Sequence, residues 1–288
     1  MTPVSHGKPC AGNPHARFEE GASAQAEPRR SALLHNNPLF SCVIPVKGAR
    51  PYLAEALESL AVQGLGDELE VIVQDGDVEF DGGQSDALNR GFAKAKGEWL
   101  FWLNADDVLL PGALERVLDR IHTIDRIKKV EWIAGDTVYI DEAGKVRDVR
   151  TDAKWRPWFG RRLSVWTGGP SAFFRRGLWA RLGGFDTRLQ YVMDLDLWTR
   201  WAQAGVRFER LNAYVWGFRV HDGSKTGAAA NRCAQLDERA RMDAKHGVAS
   251  GGFWRNVTRA VSVLDGAWLK RKVDAVRFRG RDWRDIWK

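Results

Sequence analysis

Cysteine is scarce in this chain of 288 residues, which holds three copies that lie far apart, at Cys10, Cys42 and Cys233. Such spacing builds neither a disulfide framework nor a zinc-type cluster, and Cys42 falls inside an apolar segment. A compartment that keeps thiols reduced is therefore the expected environment.

Long apolar runs are also missing from the sequence. No segment approaches the roughly 20 apolar residues of a membrane-spanning helix, and the first residues lack the apolar core of a secretory signal peptide. We therefore expect a cytoplasmic protein, an expectation that is compatible with a peripheral position at the inner face of the membrane.

Two nucleotide-binding motifs are absent as well. The turn after the first apolar strand reads Pro45-Val46-Lys47-Gly48. This is neither the Gly-x-Gly-x-x-Gly turn of a dehydrogenase nor the Gly-Lys-Ser/Thr turn of a P-loop kinase. The sequence thus argues against both of these classes of nucleotide enzyme.

The excess of positive charge is confined to one end of the chain. The net charge is +7, and residues 251–288 hold ten Lys/Arg against four Asp/Glu, interleaved with tryptophan. One interpretation is a pair of C-terminal helices with a solvated basic face. Another is a peripheral membrane contact through residues 253–288, with tryptophan in the interface and cations on anionic lipid. Nucleic-acid binding is disfavoured, because no known motif accompanies the charge.

The most informative stretch is Trp99–Asp107, in which five apolar residues are followed within a few positions by two carboxylates. Such a run is typical of a strand buried on both faces, and ligands bind beyond the carboxyl ends of these strands. A divalent cation that carries a diphosphate would neutralise Asp106 and Asp107. The same acids could instead cap a helix, because Pro111 and apolar residues at helical spacing follow.

The flanking segments predict a sheet covered by helices. Strands at 40–46 and 69–76 around a helix that can start at Pro51, with an apolar face from Leu53, make a right-handed βαβ unit. A glycine-rich loop at 81–83 leads into a helix that ends near Lys96. Later segments predict strands at 130–135, 137–140, 146–149, 206–211 and 214–220, and helices at 175–182, from Asp194, and at 229–246. The first half is therefore mostly parallel α/β, and the second half adds antiparallel pieces.

Three parts are expected along the chain. Residues 1–37 predict a disordered extension, because prolines interrupt them and they hold too few apolar side chains to fold alone. Residues 38–228 predict the main domain, in which 155–174 form loops around a site. Residues 229–288 predict a helical extension that is basic and rich in tryptophan.

Four segments together resemble a family 2 glycosyltransferase of the GT-A fold, over about residues 39–226. They are Ile44–Val46, Gly83–Phe92, Trp102–Asp107 with Leu110–Leu114, and Gly183–Asp186 followed by Met193–Trp198. The resemblance implies an α/β GT-A fold with a Rossmann-like nucleotide-binding half on a mostly parallel sheet. A mixed acceptor-side half and a helical C-terminal tail complete the implied architecture.

The same resemblance implies an inverting transfer of a sugar, aided by Mn²⁺ or Mg²⁺. The implied donor is a nucleotide sugar of UDP, GDP or dTDP, and the acceptor is a hydroxyl of a glycan or of a lipid-linked molecule. The implied setting is the assembly of a surface polysaccharide or another glycoconjugate, which rests on family analogy. No nucleic-acid partner is expected.

Site residues carry over from the family's motifs position by position. Asp106 is the expected metal ligand, accompanied by Asp107 and His221. Asp194 is the expected general base, which takes the proton of the acceptor hydroxyl, and Asp196 is expected in support. The residues expected at the donor nucleotide are Pro45, Val46, Asp75, Gln84, Asp86, Asn104 and Asp107.

Several of these assignments have alternatives. Asp75 could cap the turn before Gly76, and His221 could be a structural histidine. Asp194 and Asp196 could exchange roles, because residues two apart point in different directions at the start of a helix. Lys225 could also meet a phosphate.

The sequence departs from the family pattern after the second strand. Only Asp77–Gly82 stand where the family usually has a further helix and strand. This shortened nucleotide-binding half motivates a rival hypothesis, a non-catalytic nucleotide- or glycan-binding relic of the same fold.

Overall fold

The protein is described from a computed structural model. The description covers residues 37–48, 50–79, 81–125, 130–151, 169–225, 231–248 and 252–286. These residues belong to one compact unit that extends from His35 to Lys288. Nearly all of the extension predicted over 1–37, and most of the loops predicted over 155–174, lie outside the described residues.

Eight strands within the described ranges form one mixed sheet. Their bounds are β1 Phe40–Val46, β2 Leu69–Asp75, β3 Trp99–Trp102, β4 Val108–Leu109, β5 Trp132–Ile140, β6 Val146–Arg150, β7 Ala172–Arg175 and β8 Phe208–Arg219. The order across the sheet is β2-β1-β3-β7-β5-β8-β4, and β6 pairs with β5 beside this path. β1 is parallel to β2 and β3, whereas β7 is antiparallel to β3 and β5. The sheet is therefore parallel in its first part and mixed in its second, as predicted.

Helices cover both faces of the sheet. Their bounds are α1 Leu53–Ala61, α2 Gln84–Lys94, α3 Ala113–Asp125, α4 Arg176–Leu182, α5 Met193–Gln203, α6 Arg232–His246, α7 Gly252–Leu264 and α8 Ala267–Phe278. α1 and α3 pack with Cys42 and Phe101, while α2, α4 and α5 pack with Val43 and Trp102. Successive strand residues thus enter opposite layers, as the two-residue period of a strand requires.

Four tryptophans fix α5 to the sheet. Trp132 of β5 stacks on Trp198 of α5 with ring centroids 4.9 Å apart, and Trp201 meets Trp132 edge-on at 5.6 Å. Trp102 of β3 stacks on Trp198 at 6.0 Å. Because each ring buries a large apolar area, the start of α5 is held close to the end of β3.

Two strands are longer than the sequence predicts. The segments expected at 206–211 and 214–220 are one strand, β8, and those at 130–135 and 137–140 are one strand, β5. β5 and β8 pair in parallel, with irregular register on both sides of Asp136. The buried Asp136 carboxylate accepts hydrogen bonds from Arg210 and Lys270 there. The polar residues that resembled a break therefore mark a bulge inside a continuous strand.

β2 is the outermost strand on its side of the sheet. The described residues between β2 and α2 form turns, without a helix or strand. Val71 and Val73 of β2 are consequently 38% and 42% exposed. The shortening that the sequence indicates thus leaves one face of the edge strand open to solvent.

The C-terminal helices pack on the second half of the sheet. Phe278 of α8 meets Tyr214 of β8 edge-on with ring centroids 5.8 Å apart. The buried Trp283, in a following 3₁₀ turn, donates its indole N–H to Glu55 at 2.9 Å. Within the described ranges, no helix has both the length and the apolar content that crossing a bilayer requires.

A substitution at Gly91 tests how closely α2 packs on β1. A Cβ at this position would lie 2.4 Å from Val43 Cγ1. We expect Gly91→Ala to lower the free energy of unfolding by about 1–3 kcal/mol, because crowding the core outweighs the gain in helix propensity. Urea unfolding followed by circular dichroism measures this change.

Gly177→Ala is the matched control, because Gly177 is also helical and a Cβ there meets nothing within 4 Å. It should leave stability unchanged or raise it slightly. Equal stability of both variants would contradict the tight contact between α2 and β1.

Candidate active site

Most of the predicted site residues meet in one cavity of about 790 Å³, beyond the carboxyl ends of β1 and β3. The predicted residues that line it are Pro45, Val46, Gln84, Asn104, Asp106, Asp194, His221 and Lys225. Asp75, Asp86, Asp107 and Asp196 are not part of its lining. A second cavity of about 1030 Å³, between α3, β8 and α8, contains none of the predicted residues.

Asp106 and His221 form a pair inside the cavity. The Oδ2 atom of Asp106 lies 3.0 Å from Nε2 of His221, and both side chains remain partly exposed. Asp106 lies in the turn between β3 and β4, whereas His221 follows β8, 115 positions later. The turn ends at β4, and α3 begins at Ala113, so the two acids do not cap that helix.

Asp107 occupies a different place from the one predicted. Its side chain is fully buried and accepts hydrogen bonds from the Arg219 backbone N–H at 2.9 Å and from the Asn104 amide at 2.7 Å. Burial and the neighbouring Asp106 charge raise the pKa of Asp107 well above its usual range. The expectation that Asp107 meets a ribose or a metal does not fit this position. Asp107 instead holds β8 and Asn104 in place.

A series of side-chain hydrogen bonds runs from the Asp107 carboxylate to the cavity. Asn104 donates to Asp107 and accepts a hydrogen bond from the Gln84 side chain at 2.9 Å. Gln84 is the first residue of α2, so the glycine-rich loop and the turn after β3 are joined. Gln84 and Asn104 therefore both line the cavity, and their amides are held in a fixed orientation.

Arg219, which the sequence analysis did not identify, organises this region. Its buried guanidinium donates to the backbone oxygens of Asp106, Asp141 and Glu142, and to the Glu55 carboxylate at 2.5 Å. The guanidinium also lies 4.5 Å from the centre of the Tyr52 ring, whose other neighbour is His221 at 5.4 Å. Both members of the Asp106–His221 pair are thus positioned by one buried cation. A lone arginine at the end of a strand gives no sequence signal for this role.

Asp75 and Asp86 also differ from their predicted places at the donor. Asp75 forms an ion pair with Arg50 at 2.7 Å, and Arg50 lines the cavity in its stead. Asp86 accepts a hydrogen bond from the Gly82 backbone N–H and pairs with Arg90, one turn along α2. Each acid satisfies local groups near the site, because a carboxylate at a strand end or in a first helical turn finds nearby donors.

Asp194 faces the cavity at the first turn of α5. Burial raises the pKa of Asp194 from its ordinary value of 3.8 to about 6. The hydrogen bond from the Leu195 backbone N–H acts in the opposite direction but is the smaller effect. Gly169 lies opposite, where a Cβ would come within 3.2 Å of the carboxylate and 2.4 Å of the Trp102 ring. A carboxylate with a pKa near neutrality, open to a cavity, is suited to accept a proton.

Asp196 points away from the cavity, towards α6. It is fully buried and bonds to Arg200 at 2.8 Å, Lys245 at 3.1 Å and His246 at 2.7 Å. Burial tends to raise the pKa of Asp196, but these hydrogen bonds and charges outweigh burial and lower it. Its role is therefore structural support, one of the two possibilities that the sequence left open.

Glu238 of α6 fixes the start of α5 from outside the helix. Its buried carboxylate accepts the backbone N–H groups of Gln190, Tyr191 and Val192 at 2.6–3.0 Å. Val192 is the N-cap residue of α5 and makes no side-chain cap of its own, so Glu238 takes this place from another helix. Glu238 therefore sets the position of Asp194.

The predicted boundary at residue 228 does not separate two structural parts. α6 supplies Glu238, lines the cavity with Gln235 and Arg239, and contributes Lys245 and His246, two of the three partners of Asp196. The charged helix expected to open a C-terminal extension is thus part of the body that holds the site.

The Asp106–His221 pair fits a divalent cation that shares its coordination with a ligand. Mg²⁺ and Mn²⁺ accept carboxylate oxygen, and Mg²⁺ sites combine one or two carboxylates with phosphate oxygens and water. Among the described residues, no three His, Cys, Asp or Glu side chains converge as a complete protein site. The two donors would therefore hold a cation only together with oxygens from a bound diphosphate and from water.

The raised pKa of Asp194 predicts a cost in stability. Because the folded protein holds this proton more tightly than the unfolded chain, stability falls as the pH rises from about 4 to about 6, and the loss persists above pH 6. Asp194→Asn keeps the acceptor for Leu195 but carries no charge. We expect it to be more stable than the wild type at about pH 8, by on the order of 1–3 kcal/mol, and equally stable at or below about pH 4. Urea unfolding at both pH values measures the difference.

Asp196→Asn is the companion variant, and its effect should have the opposite sign. It weakens the bonds to Arg200, Lys245 and His246, so stability at about pH 8 should fall. An Asp194→Asn variant that is less stable than the wild type at this pH would refute a pKa of Asp194 that is raised in the folded protein.

The chain resembles known glycosyltransferases in sequence. Residues 77–174 match the model of Glycosyl transferase family 2. An uncharacterized glycosyltransferase of Rickettsia typhi is 26% identical over 229 residues, which cover 70% of this chain and 69% of the relative. A PGL/p-HBAD biosynthesis glycosyltransferase of Mycobacterium bovis is 27% identical over 189 residues, 55% of this chain and 68% of that relative.

Two solved structures share the fold at 18% identity. A mannosyltransferase from Pyrobaculum calidifontis, in complex with GDP-Man and Mn²⁺, aligns with a TM-score of 0.53 over 84% of this chain and 75% of its own. A TarS fragment from S. aureus, in complex with UDP-GlcNAc, aligns with a TM-score of 0.51 over 66% of this chain. The chain spans 61% of that TarS fragment. These likenesses confirm the α/β GT-A fold that the sequence predicts.

Proposed function

We propose that the chain is a family 2 glycosyltransferase of the GT-A fold and that it transfers a sugar with inversion at the anomeric carbon. The donor is a nucleotide sugar, and the acceptor is a hydroxyl group. One observation carries the proposal: the Asp106–His221 pair and the Asp194 carboxylate line the same cavity. A group for the leaving diphosphate and a base for the acceptor are thereby available to one reaction centre.

In the proposed step, the acceptor oxygen attacks the anomeric carbon from the face opposite the diphosphate. Asp194 takes the proton of the attacking hydroxyl as the new carbon–oxygen bond forms, and the bond to the diphosphate oxygen breaks. The nucleoside diphosphate leaves with the electron pair of that bond. A base whose pKa is about 6 is deprotonated at neutral pH and still accepts a proton readily.

Asp106 and His221 are the residues that would hold a divalent cation, in our proposal Mn²⁺ or Mg²⁺. A bound cation would supply positive charge to the diphosphate as it leaves. The Mn²⁺ reported with the Pyrobaculum mannosyltransferase supports a metal in this fold. The orienting contacts of Arg219 and Tyr52 keep the two ligands together before any donor binds.

The donor is proposed to lie along Pro45, Val46, Gln84 and Asn104, with its diphosphate towards Asp106. Lys225 adds positive charge to the cavity lining, which favours an anionic ligand. UDP, GDP and dTDP sugars are all candidates. The relatives' ligands, UDP-GlcNAc in TarS and GDP-Man in the mannosyltransferase, include two of these nucleotides.

The acceptor is proposed to be a hydroxyl of a glycan or of a lipid-linked molecule, in the assembly of a polysaccharide or another glycoconjugate. The relative named for PGL/p-HBAD biosynthesis supports such a setting. A cytoplasmic location remains part of the proposal, because the cysteines are few and dispersed.

A binding protein without turnover is the alternative, and the edge position of β2 favours it. The nucleotide-binding half ends at a strand with exposed Val71 and Val73, so less protein surrounds a nucleotide than the family pattern provides. This relic would bind a nucleoside diphosphate or a glycan and release no product.

Donor turnover distinguishes the two functions. The purified protein is incubated with UDP, GDP and dTDP sugars and with Mn²⁺, Mg²⁺ or EDTA, and nucleoside diphosphate release is recorded. We expect release from one donor, abolished by EDTA. Asp106→Asn should lower the rate about 100-fold or more, because a charge that holds the cation is lost. Asp194→Asn should lower it by about 10²–10⁴ while donor binding persists.

Asp67→Asn is the control, since this exposed acid lies in a turn away from the cavity and should leave the rate unchanged. Metal-dependent nucleotide binding without release, with every acceptor offered, would favour the relic. Rates that Asp106→Asn and Asp194→Asn leave intact would overturn the assigned roles.

A further inference from the structure

Exposed apolar side chains concentrate on α7, α8 and the turn between them. Of fourteen large hydrophobic side chains that are exposed in the described part of the chain, half lie between residues 253 and 276. Phe253 is 71% exposed, Leu264 85% and Val276 81%. The members of this set, which we call the α7–α8 face, are Phe253, Val263, Leu264, Trp268, Leu269, Val273 and Val276.

The positions on each helix form a stripe. In α8, Leu269, Val273 and Val276 follow one another at intervals of four and three residues, which places them on one side of the helix. In α7, Phe253 and Leu264 are eleven residues apart. This separation is about three helical turns, which places both residues on the same side of the helix. An apolar stripe that points outward normally indicates a surface that another apolar phase covers.

The opposite side of α8 is already occupied by the protein. Ala267 and Phe278 are buried, Asp274 accepts the hydroxyl of Tyr214 at 2.8 Å, and Lys270 bonds to Asp136. The α7–α8 face is therefore what remains after α8 has packed on the sheet. The two sides of α8 are therefore not equivalent, because one is packed on the sheet and the other is exposed.

The charge around the face identifies its partner. Residues 252–278 contain six Lys/Arg and two Asp, and three of these eight, Lys270, Arg271 and Asp274, form ion pairs within the protein. Arg259, Lys272 and Arg277 are exposed beside the apolar stripes. A bilayer with anionic headgroups offers hydrocarbon to the stripes and negative charge to these cations. A second copy of this surface would bring like charges together, which disfavours self-association.

The face is connected to the acceptor side of the candidate active site. The Thr151 hydroxyl donates to the carbonyl of Ala267, the first residue of α8, at 2.7 Å. The preceding residue, Arg150, lines the cavity, and its charge acts on Asp194. Because Ala267 lies on the packed side of α8, this bond fixes α8, with the α7–α8 face on its outer side, to the strand that leads to the cavity.

We propose that the α7–α8 face docks the protein on an anionic membrane surface, with α7 and α8 lying in the interface, so that the acceptor is a lipid-linked hydroxyl. The part that concerns the acceptor rests on the proposed glycosyltransfer. The part that concerns docking does not, because it depends only on the exposed apolar stripes and the cations beside them.

Vesicle sedimentation tests the docking. The full chain is mixed with vesicles of phosphatidylcholine, or of phosphatidylcholine with phosphatidylglycerol, at low and high salt. We expect sedimentation with the phosphatidylglycerol vesicles that weakens as salt rises. Leu264→Glu with Leu269→Glu should abolish it. Arg259→Gln and Lys272→Gln should each weaken the partition about fivefold.

Leu236→Glu is the matched control for each substitution, because Leu236 of α6 is 61% exposed, as is Leu269, and each Leu→Glu change adds one negative charge. It should sediment like the wild type. No sedimentation with either vesicle, or equal loss in the Leu236 variant, would overturn the proposal. So would a dimer in sedimentation velocity that Leu264→Glu with Leu269→Glu dissolves, because the face would then be an interface between copies.

The two proposals fail separately. Hydrolytic release of nucleoside diphosphate, with water as the acceptor, needs no vesicles, and vesicle binding needs no donor. Docking without release would leave the membrane face standing and contradict the transferase. Release without docking would support the transferase and contradict the membrane face.

Discussion

The buried guanidinium of Arg219 is the contact on which the candidate site depends. It joins the Asp106 turn, the β5–β6 hairpin and α1 by hydrogen bonds, and it supports the Tyr52 ring. A charged group without solvent exposure is tolerable only when acceptors surround it, and three carbonyls and a carboxylate do so here. Segments that are distant along the chain must therefore be in place together before the Asp106–His221 pair can form.

The C-terminus shares in this arrangement. Glu55, the carboxylate partner of Arg219, also accepts hydrogen bonds from Trp283 and Arg284. The last described turn of the chain thus stabilises the anion that balances the buried cation. The basic, tryptophan-rich tail has two surfaces with different roles, one that completes the core and one that faces outward on α7 and α8.

Asp194 and Asp196 lie at the same helix start, but their carboxylates have different surroundings. Both are acids in the first turn, where the helix dipole favours negative charge. Asp196 is surrounded by Arg200, Lys245 and His246, whereas Asp194 faces an open cavity with its pKa raised by burial. The protein therefore shifts the pKa values of the two carboxylates in opposite directions, which is the separation that acid–base chemistry requires.

The sequence by itself determined the elements and their order. The apolar run that ends at Asn104, the glycine-rich entry to α2, the early strand–helix–strand unit and the acids that open α5 are local patterns, and the GT-A fold follows from them. Tertiary structure decided which acid of each pair faces the cavity. Asp106 and Asp107 are neighbours, yet only one reaches the cavity, because Asp107 is held by the Arg219 backbone 112 positions later. The contributions of Arg219 and Glu238 likewise depend on hydrogen bonds between distant segments. Such bonds leave no periodic trace in a sequence, so only the folded chain reveals them.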